Sequence, residues 1–220
     1  MRNFEFHRPQ SVADVVALLK SHDGAKVLAG GQSLLPVLKL DLAQPSDLVS
    51  LARVPGIQDI RSEGDQLVIG ALVTHGEVAA SAEVRKRIPG LADLAAGIGD
   101  AQIRNRGTLG GSLAHSDPAA DYPAAALGLG ATIVTDRRSI PADDFFLGLF
   151  QNALESDEVI TAVRFPVPER SAYAKFPHPA SKYAVVGVMV AKTGGGVRVA
   201  VTGAGHKVFR VPAYEQALAG

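Results

Sequence analysis

Two glycine pairs, each with a serine close behind, punctuate the chain: Ala29-Gly30-Gly31-Gln32-Ser33 and Thr108-Leu109-Gly110-Gly111-Ser112. Paired glycines reach left-handed and mirror-β dihedrals that other residues avoid, so successive backbone amides can converge on one point. The first pair follows an apolar run, Val27-Leu28-Ala29, that reads as a short strand. It leads into residues 33–40, which read as a helix with Pro36 tolerated in its first turn. A helix start adds orphan N–H groups and a partial positive charge, and the hydroxyls of Ser33, Thr108 and Ser112 add further donors. A lone glycine pair is more often a tight turn. Two of them, far apart in sequence, suit the clamping of two linked phosphates from opposite sides, the shape of a dinucleotide pyrophosphate.

Other phosphate motifs are absent. No Gly-x-x-x-x-Gly-Lys-Ser/Thr loop occurs, and Gly203-Ala204-Gly205 runs into His206-Lys207-Val208 without the third glycine of a Rossmann fingerprint. The 22 basic and 22 acidic side chains cancel, which speaks against a nucleic-acid binder or a polybasic membrane-surface protein. The absence of cysteine excludes a disulfide framework, a catalytic thiol, a zinc ribbon and a cysteine-ligated iron–sulfur cluster within this chain. Its 220 residues, 47% hydrophobic and 20% charged, suffice for one large domain or two lobes with a real core. The most apolar uncharged stretches, 123–134 and 183–191, are too short for a transmembrane segment, and the opening six residues lack a signal-peptide segment. A cytoplasmic protein is expected.

Short β-like runs alternate with amphipathic helices. Ser11 to Asp14 fits a capping box, after which Val12, Val15, Val16 and Leu19 mark one helical face that Asp23-Gly24 stops. Residues 48–51 and 66–69 read as strands. Thr74 to Glu77 forms a second capping box, whose helix is expected to run to the Ile88-Pro89-Gly90 break. Residues 119–129 read as a packed alanine-rich helix, 131–135 and 159–165 as strands, and 166–179 as a proline-bearing connector. Residues 185–191 and 197–202, joined by Gly194-Gly195-Gly196, make a β-hairpin.

Other constellations are weaker. Ser112, His115 and Asp117 have the residue types of a triad, but their closeness in sequence favours loop and cap roles. The six histidines show no zinc-ligand spacing, which favours structural or surface roles. Arg104 and Arg106 have two readings: a phosphate contact, or a solvated or partner-facing pair. Asp117 and Asp121 suit ribose or ribityl hydroxyls, and Asp121 equally suits the cap of the helix beginning near Pro123.

The run Ala29-Gly30-Gly31-Gln32-Ser33-Leu34-Leu35-Pro36, with Lys39-Leu40 after it, resembles the first FAD motif of the molybdenum hydroxylase flavoprotein subunits. The run from Gln102 to His115, with Asp117-Pro118-Ala119-Ala120-Asp121, resembles the second. The chain is thereby identified as similar to the FAD-binding medium subunit of the carbon monoxide dehydrogenase and xanthine dehydrogenase family. The resemblance covers almost the whole chain. It implies an α+β fold: an FAD-binding fold of the vanillyl-alcohol-oxidase type over residues 1–170, with two subdomains split near 55–60. Residues 175–220 would begin a C-terminal α+β lobe, which stops short of the family's usual extent.

By the same resemblance, Lys26, Ala29, Gly30, Gly31, Gln32 and Ser33 would line the FAD, with Thr108, Gly110, Gly111, Ser112, Asp117 and Asp121 opposite. Ile160 would pack on the flavin, and Lys182-Tyr183 would be the basic–aromatic pair near its ring, although Tyr183 also suits a strand aromatic in the lobe core. The implied function is an electron-transfer subunit that oxidises iron–sulfur clusters and reduces an external acceptor. The 2Fe-2S clusters would belong to a small subunit and the molybdenum cofactor to a large subunit, in a dimer of heterotrimers. The interface is expected to contain the Arg104–Arg106 region or neighbouring loops. The rivals are a self-sufficient FAD-dependent oxidase and a non-catalytic nucleotide-binding module.

Overall fold

The computed structural model describes residues 2–219. The chain opens with β1 (Glu5–His7), α1 (Val12–Ser21), β2 (Lys26–Leu28), α2 (Leu34–Lys39) and β3 (Asp47–Ser50). The three strands form a parallel sheet in the order β1-β3-β2, which buries the whole of β3. Helix α1 starts where the Ser11 hydroxyl accepts from the Asp14 amide. The Asp14 carboxylate turns to that hydroxyl, so half of the expected capping box is made. The helix lays Val15 and Leu19 on Val49, in a small core with Leu51, Val54, Ile57 and Val159.

The middle of the chain runs through β4 (Ile60–Glu63), β5 (Gln66–Gly70), α3 (His75–Ala80), α4 (Ala82–Arg87), α5 (Pro89–Ala96), α6 (Ala101–Arg104), α7 (Leu109–His115) and α8 (Tyr122–Gly128). It continues as β6 (Thr132–Thr135), β7 (Ser139–Pro141), α9 (Ala142–Phe145), β8 (Phe146–Gly148), β9 (Gln151–Asn152) and β10 (Ile160–Pro166). Strands β4-β5-β10-β6-β7 form one antiparallel sheet, and β8 and β9 a separate ribbon. The helices stack on the larger sheet through Leu91, Leu94, Leu109, Leu113, Tyr122 and Phe165, all buried. Helix α8 is buried along its whole length, as its alanines allow.

The Thr74–Glu77 capping box forms in full, but the expected single helix divides into α3 and α4. Ser81 leaves helical backbone there and caps the second helix through the Val84 amide.

Residues 170–177, expected in a connector, are instead β11 (Arg170–Pro177). It opens an antiparallel meander with β12 (Ala184–Thr193), β13 (Gly196–Thr202) and β14 (Phe209–Arg210), followed by α10 (Pro212–Ala219). This sheet is held to the helices at close range. A Cβ on Gly90 would lie 3.0 Å from the backbone of Ser171 and Ala172, and one on Gly128 2.7 Å from Met189 Cγ. No helix among the described residues is long and apolar enough to cross a membrane.

Candidate functional site

A cleft of about 580 Å³ opens where the small parallel sheet, the α7–α8 region and the β11–β12 turn meet. Its size suits a cofactor or drug-sized ligand. All fifteen residues expected at a cofactor line it: Lys26, the 29–33 loop, Thr108, Gly110, Gly111, Ser112, Asp117, Asp121, Ile160, Lys182 and Tyr183. The two glycine loops touch. A side chain on Gly30 would run into the carbonyl of Arg106 and the Cα of Gly107, so backbone packs on backbone between them.

The first loop carries the free donors. Gly31 is left-handed at φ +77°, which turns the chain from β2 into α2. The amides of Gly30, Gly31, Gln32 and Ser33 donate to no protein acceptor among the described residues. Those of Leu35 and Val37 already belong to the helix.

The second loop corrects the expectation from glycine pairs. Gly110 and Gly111 lie inside α7 with ordinary helical backbone, and their amides are in use. Leu109 N–H donates to Val73 O, Gly110 N–H to Ala71 O at 2.9 Å, and Gly111 N–H to Thr108 Oγ1 at 3.2 Å. Gly110 is small for a packing reason: a Cβ there would meet Ala71 Cβ at 2.6 Å. What this loop offers the cleft is hydroxyl groups. Thr108 Oγ1 accepts the capping bond and keeps its own proton to donate, and the Ser112 hydroxyl has no partner among the described residues.

Ser112, His115 and Asp117 make no hydrogen bonds to one another, so no triad forms. Asp117 Oδ1 accepts from the Ala119 amide, closing a local turn. Asp121 stands at the start of α8 without capping it. Its buried carboxylate accepts from Tyr173 Oη at 2.6 Å and Lys175 Nζ at 3.0 Å, both on β11. Burial pushes this carboxyl up, while the tyrosine hydroxyl and the ammonium pull it down; burial prevails. Arg104 turns inward, donating to the carbonyls of Ile98 and Gly99, whereas Arg106 stays exposed. Lys182 is left-handed at φ +63°, and the half-exposed Tyr183 beside it lines the cleft. Burial, then the charges of Asp117 and Asp121, raise the tyrosine hydroxyl's proton affinity. Ile160 is buried where β10 carries a bulge against β6.

Two lining residues escape sequence reasoning. His75 opens α3 behind the Gly107 turn, with its Nδ1 buried and unpartnered. Burial, helped by the Arg104 charge, lowers it to about 4. Phe150, left-handed at φ +54°, places its ring 5.1 Å from that of His115. Nothing in the local pattern marks either one, because each is brought to the cleft by tertiary contacts.

Residues 2–168 match the FAD binding domain in molybdopterin dehydrogenase. The carbon monoxide dehydrogenase medium chain of Hydrogenophaga pseudoflava is 40% identical, over 94% of this chain and 77% of that one. The nicotine 6-hydroxylase medium subunit of Paenarthrobacter nicotinovorans is also 40% identical, over 96% and 78%. Among solved structures, carbon monoxide dehydrogenase from Hydrogenophaga pseudoflava superposes with a TM-score of 0.94 at 41% identity, covering 100% of this chain and 81% of that one. Quinoline 2-oxidoreductase from Pseudomonas putida 86 gives 0.94 at 33% identity, covering 100% and 80%.

Proposed function

The chain belongs to the family of FAD-binding domains of molybdopterin dehydrogenases, and from that premise we propose that it is the subunit through which electrons leave a molybdenum hydroxylase. The observation that carries the reading is the set of unused amides at Gly30 to Ser33, facing the free hydroxyls of Thr108 and Ser112 across one cleft. A pyrophosphate needs donors that no protein group has taken, and this is where the chain keeps them. The residues fit the cofactor.

In this reading the 29–33 loop and the Thr108 and Ser112 hydroxyls hold the pyrophosphate, with Gly110 and Gly111 setting how closely α7 approaches. Lys26 and Lys182 add positive charge at the rim, and Asp117 meets ribose or ribityl hydroxyls. Ile160 and Tyr183 give the ring system an apolar and an aromatic wall. Asp121 acts through Tyr173 and Lys175, fixing the β11 sheet against α8 so that Lys182 and Tyr183 sit at the cleft.

FAD, when bound, supplies the redox chemistry. The electrons would originate at a molybdenum cofactor in a large subunit and arrive through 2Fe-2S clusters in a small subunit, since this chain has no cysteine to hold a cluster. A dimer of heterotrimers is the proposed assembly. Native mass spectrometry of the purified complex, with its visible spectrum, tests this. One FAD per chain, released by acid, and a cluster-bearing companion are expected. A colourless chain, or turnover of an organic substrate by the isolated chain without companions, would overturn the assignment.

A further inference from the structure

Away from the cleft, two histidines and an aspartate meet on the small parallel sheet. Glu5 pairs with Asp47 and His7 with Val49 in the β1–β3 register. Alternation therefore puts His7 and Asp47 on one face. Helix α1 packs on Val49 through Val15 and Leu19, and its C-cap residue, His22, arrives beside Asp47. Donor atoms of His7, His22 and Asp47 all lie within 4.8 Å of one another. None of the three residues lines the cofactor cleft.

The ring of His22 is oriented for ligation. Its Nδ1 lies 3.0 Å from the carbonyl of Leu18, to which it can donate, and 2.9 Å from the Ser21 hydroxyl. Nε2 is the nitrogen that faces Asp47, 3.9 Å from its Oδ1, and it is free to ligate when Nδ1 holds the proton. His7 Nε2 lies 2.6 Å from the same oxygen. A backbone carbonyl fixing the far nitrogen is the usual support of a metal-bound imidazole. Tetrahedral zinc spaces its ligand atoms about 3.3 Å apart. The 2.6 and 3.9 Å separations straddle that figure, and all three donor atoms lie within 4.8 Å of one another. Among the described residues, Asp47 has no Lys or Arg partner.

We propose that His7, His22 and Asp47 form a binding site for a divalent transition-metal ion of the zinc class. Two imidazoles and one carboxylate are borderline donors that favour such ions over magnesium or calcium. Because both histidines are partly exposed, water completes the coordination. The ion ties β1, β3 and the end of α1 together, a structural role separate from the flavin.

Zinc titrated into the untagged, FAD-loaded protein, followed by calorimetry, tests this. One site per chain is expected, and zinc-edge X-ray absorption of the wild type should show two imidazoles and oxygen ligands. The His22→Ala and Asp47→Asn variants should each lose at least about tenfold in affinity, and zinc should raise the melting temperature of the wild type but not of His22→Ala. His206→Ala, at an exposed turn, should bind as the wild type does. Absence of a stoichiometric site, an absorption spectrum with a single imidazole, or unchanged binding in a folded His22→Ala variant would overturn the proposal and leave the cluster an ion pair.

Discussion

Gly30 lies against the carbonyl of Arg106 with no room for a side-chain atom between them. The contact joins the two glycine loops, and both partners are backbone, which cannot step aside as a flexible side chain can. Gly30→Ala should therefore force the loops apart, at the overpacking cost of about 1–3 kcal/mol. At this chain length that is a melting-temperature loss of about 2–4 °C per kcal/mol. The flavin-to-protein ratio of the folded variant should fall sharply. Full flavin retention would mean the loops hold the cofactor independently of one another.

Thr108 separates capping from packing. Thr108→Val keeps the shape but removes the acceptor of the Gly111 amide, which should cost about 1 kcal/mol in stability and weaken flavin retention further by removing a hydroxyl from the cleft. Gly195→Ala is the control. Its Cβ would have only Thr193 Oγ1 near it, at 3.7 Å, so its thermal midpoint and flavin content should match the wild type.

Both glycine loops and the residues around them are legible in the sequence because the physics is local: a strand end, a glycine pair and a hydroxyl at a helix start. What the glycines do is not legible. Gly31 uses its left-handed backbone, whereas Gly30, Gly110 and Gly111 are small because something else comes close. Strand β11 hides for a related reason. Its inward residues are Ser171, Tyr173 and Lys175 and its outward ones include Ala172 and Ala174. That reverses the usual alternation, since polar groups of the inward face meet Asp121 and the Gly90 amide, and among the three only Tyr173 also packs on the apolar core. The His7–His22–Asp47 cluster is equally silent in the sequence, because parallel strand pairing and a helix end bring it together.

The Asp121 carboxylate offers a test of how β11 is anchored. Lys175→Met removes its cation and leaves a buried carboxyl that burial already pushes up. Such a broken pair costs about 3–5 kcal/mol. A carboxyl whose folded-state proton affinity lies above its unfolded value binds more protons when folded, so stability falls as pH rises. The deficit of Lys175→Met relative to the wild type should therefore grow in denaturant titrations as pH rises above the unfolded carboxyl value of about 4. Tyr173→Phe, which removes one bond to the carboxylate, should cost less, about 1.5–3 kcal/mol. A deficit independent of pH would mean that the carboxyl is not the group left stranded.

His75 gives the opposite sign. Burial, with the Arg104 charge as a lesser cause, lowers the ring to about 4, against an unfolded value near 6.5. Above about pH 6.5 the ring is neutral in both states and contributes no penalty. As pH falls from there towards 4, the unfolded chain takes up a proton that the folded one refuses, so stability drops by up to roughly 3 kcal/mol. His75→Gln removes the titration while keeping a polar side chain beside the Gly107 turn. Its unfolding free energy, followed by urea titration across that window, should decline less steeply with acid than that of the wild type, whatever its offset at neutral pH. Since the ring also lines the cleft, flavin should be retained to lower pH in the variant. Parallel acid slopes for the two proteins would show that the imidazole reaches water, and the steep decline would then have to come from another group.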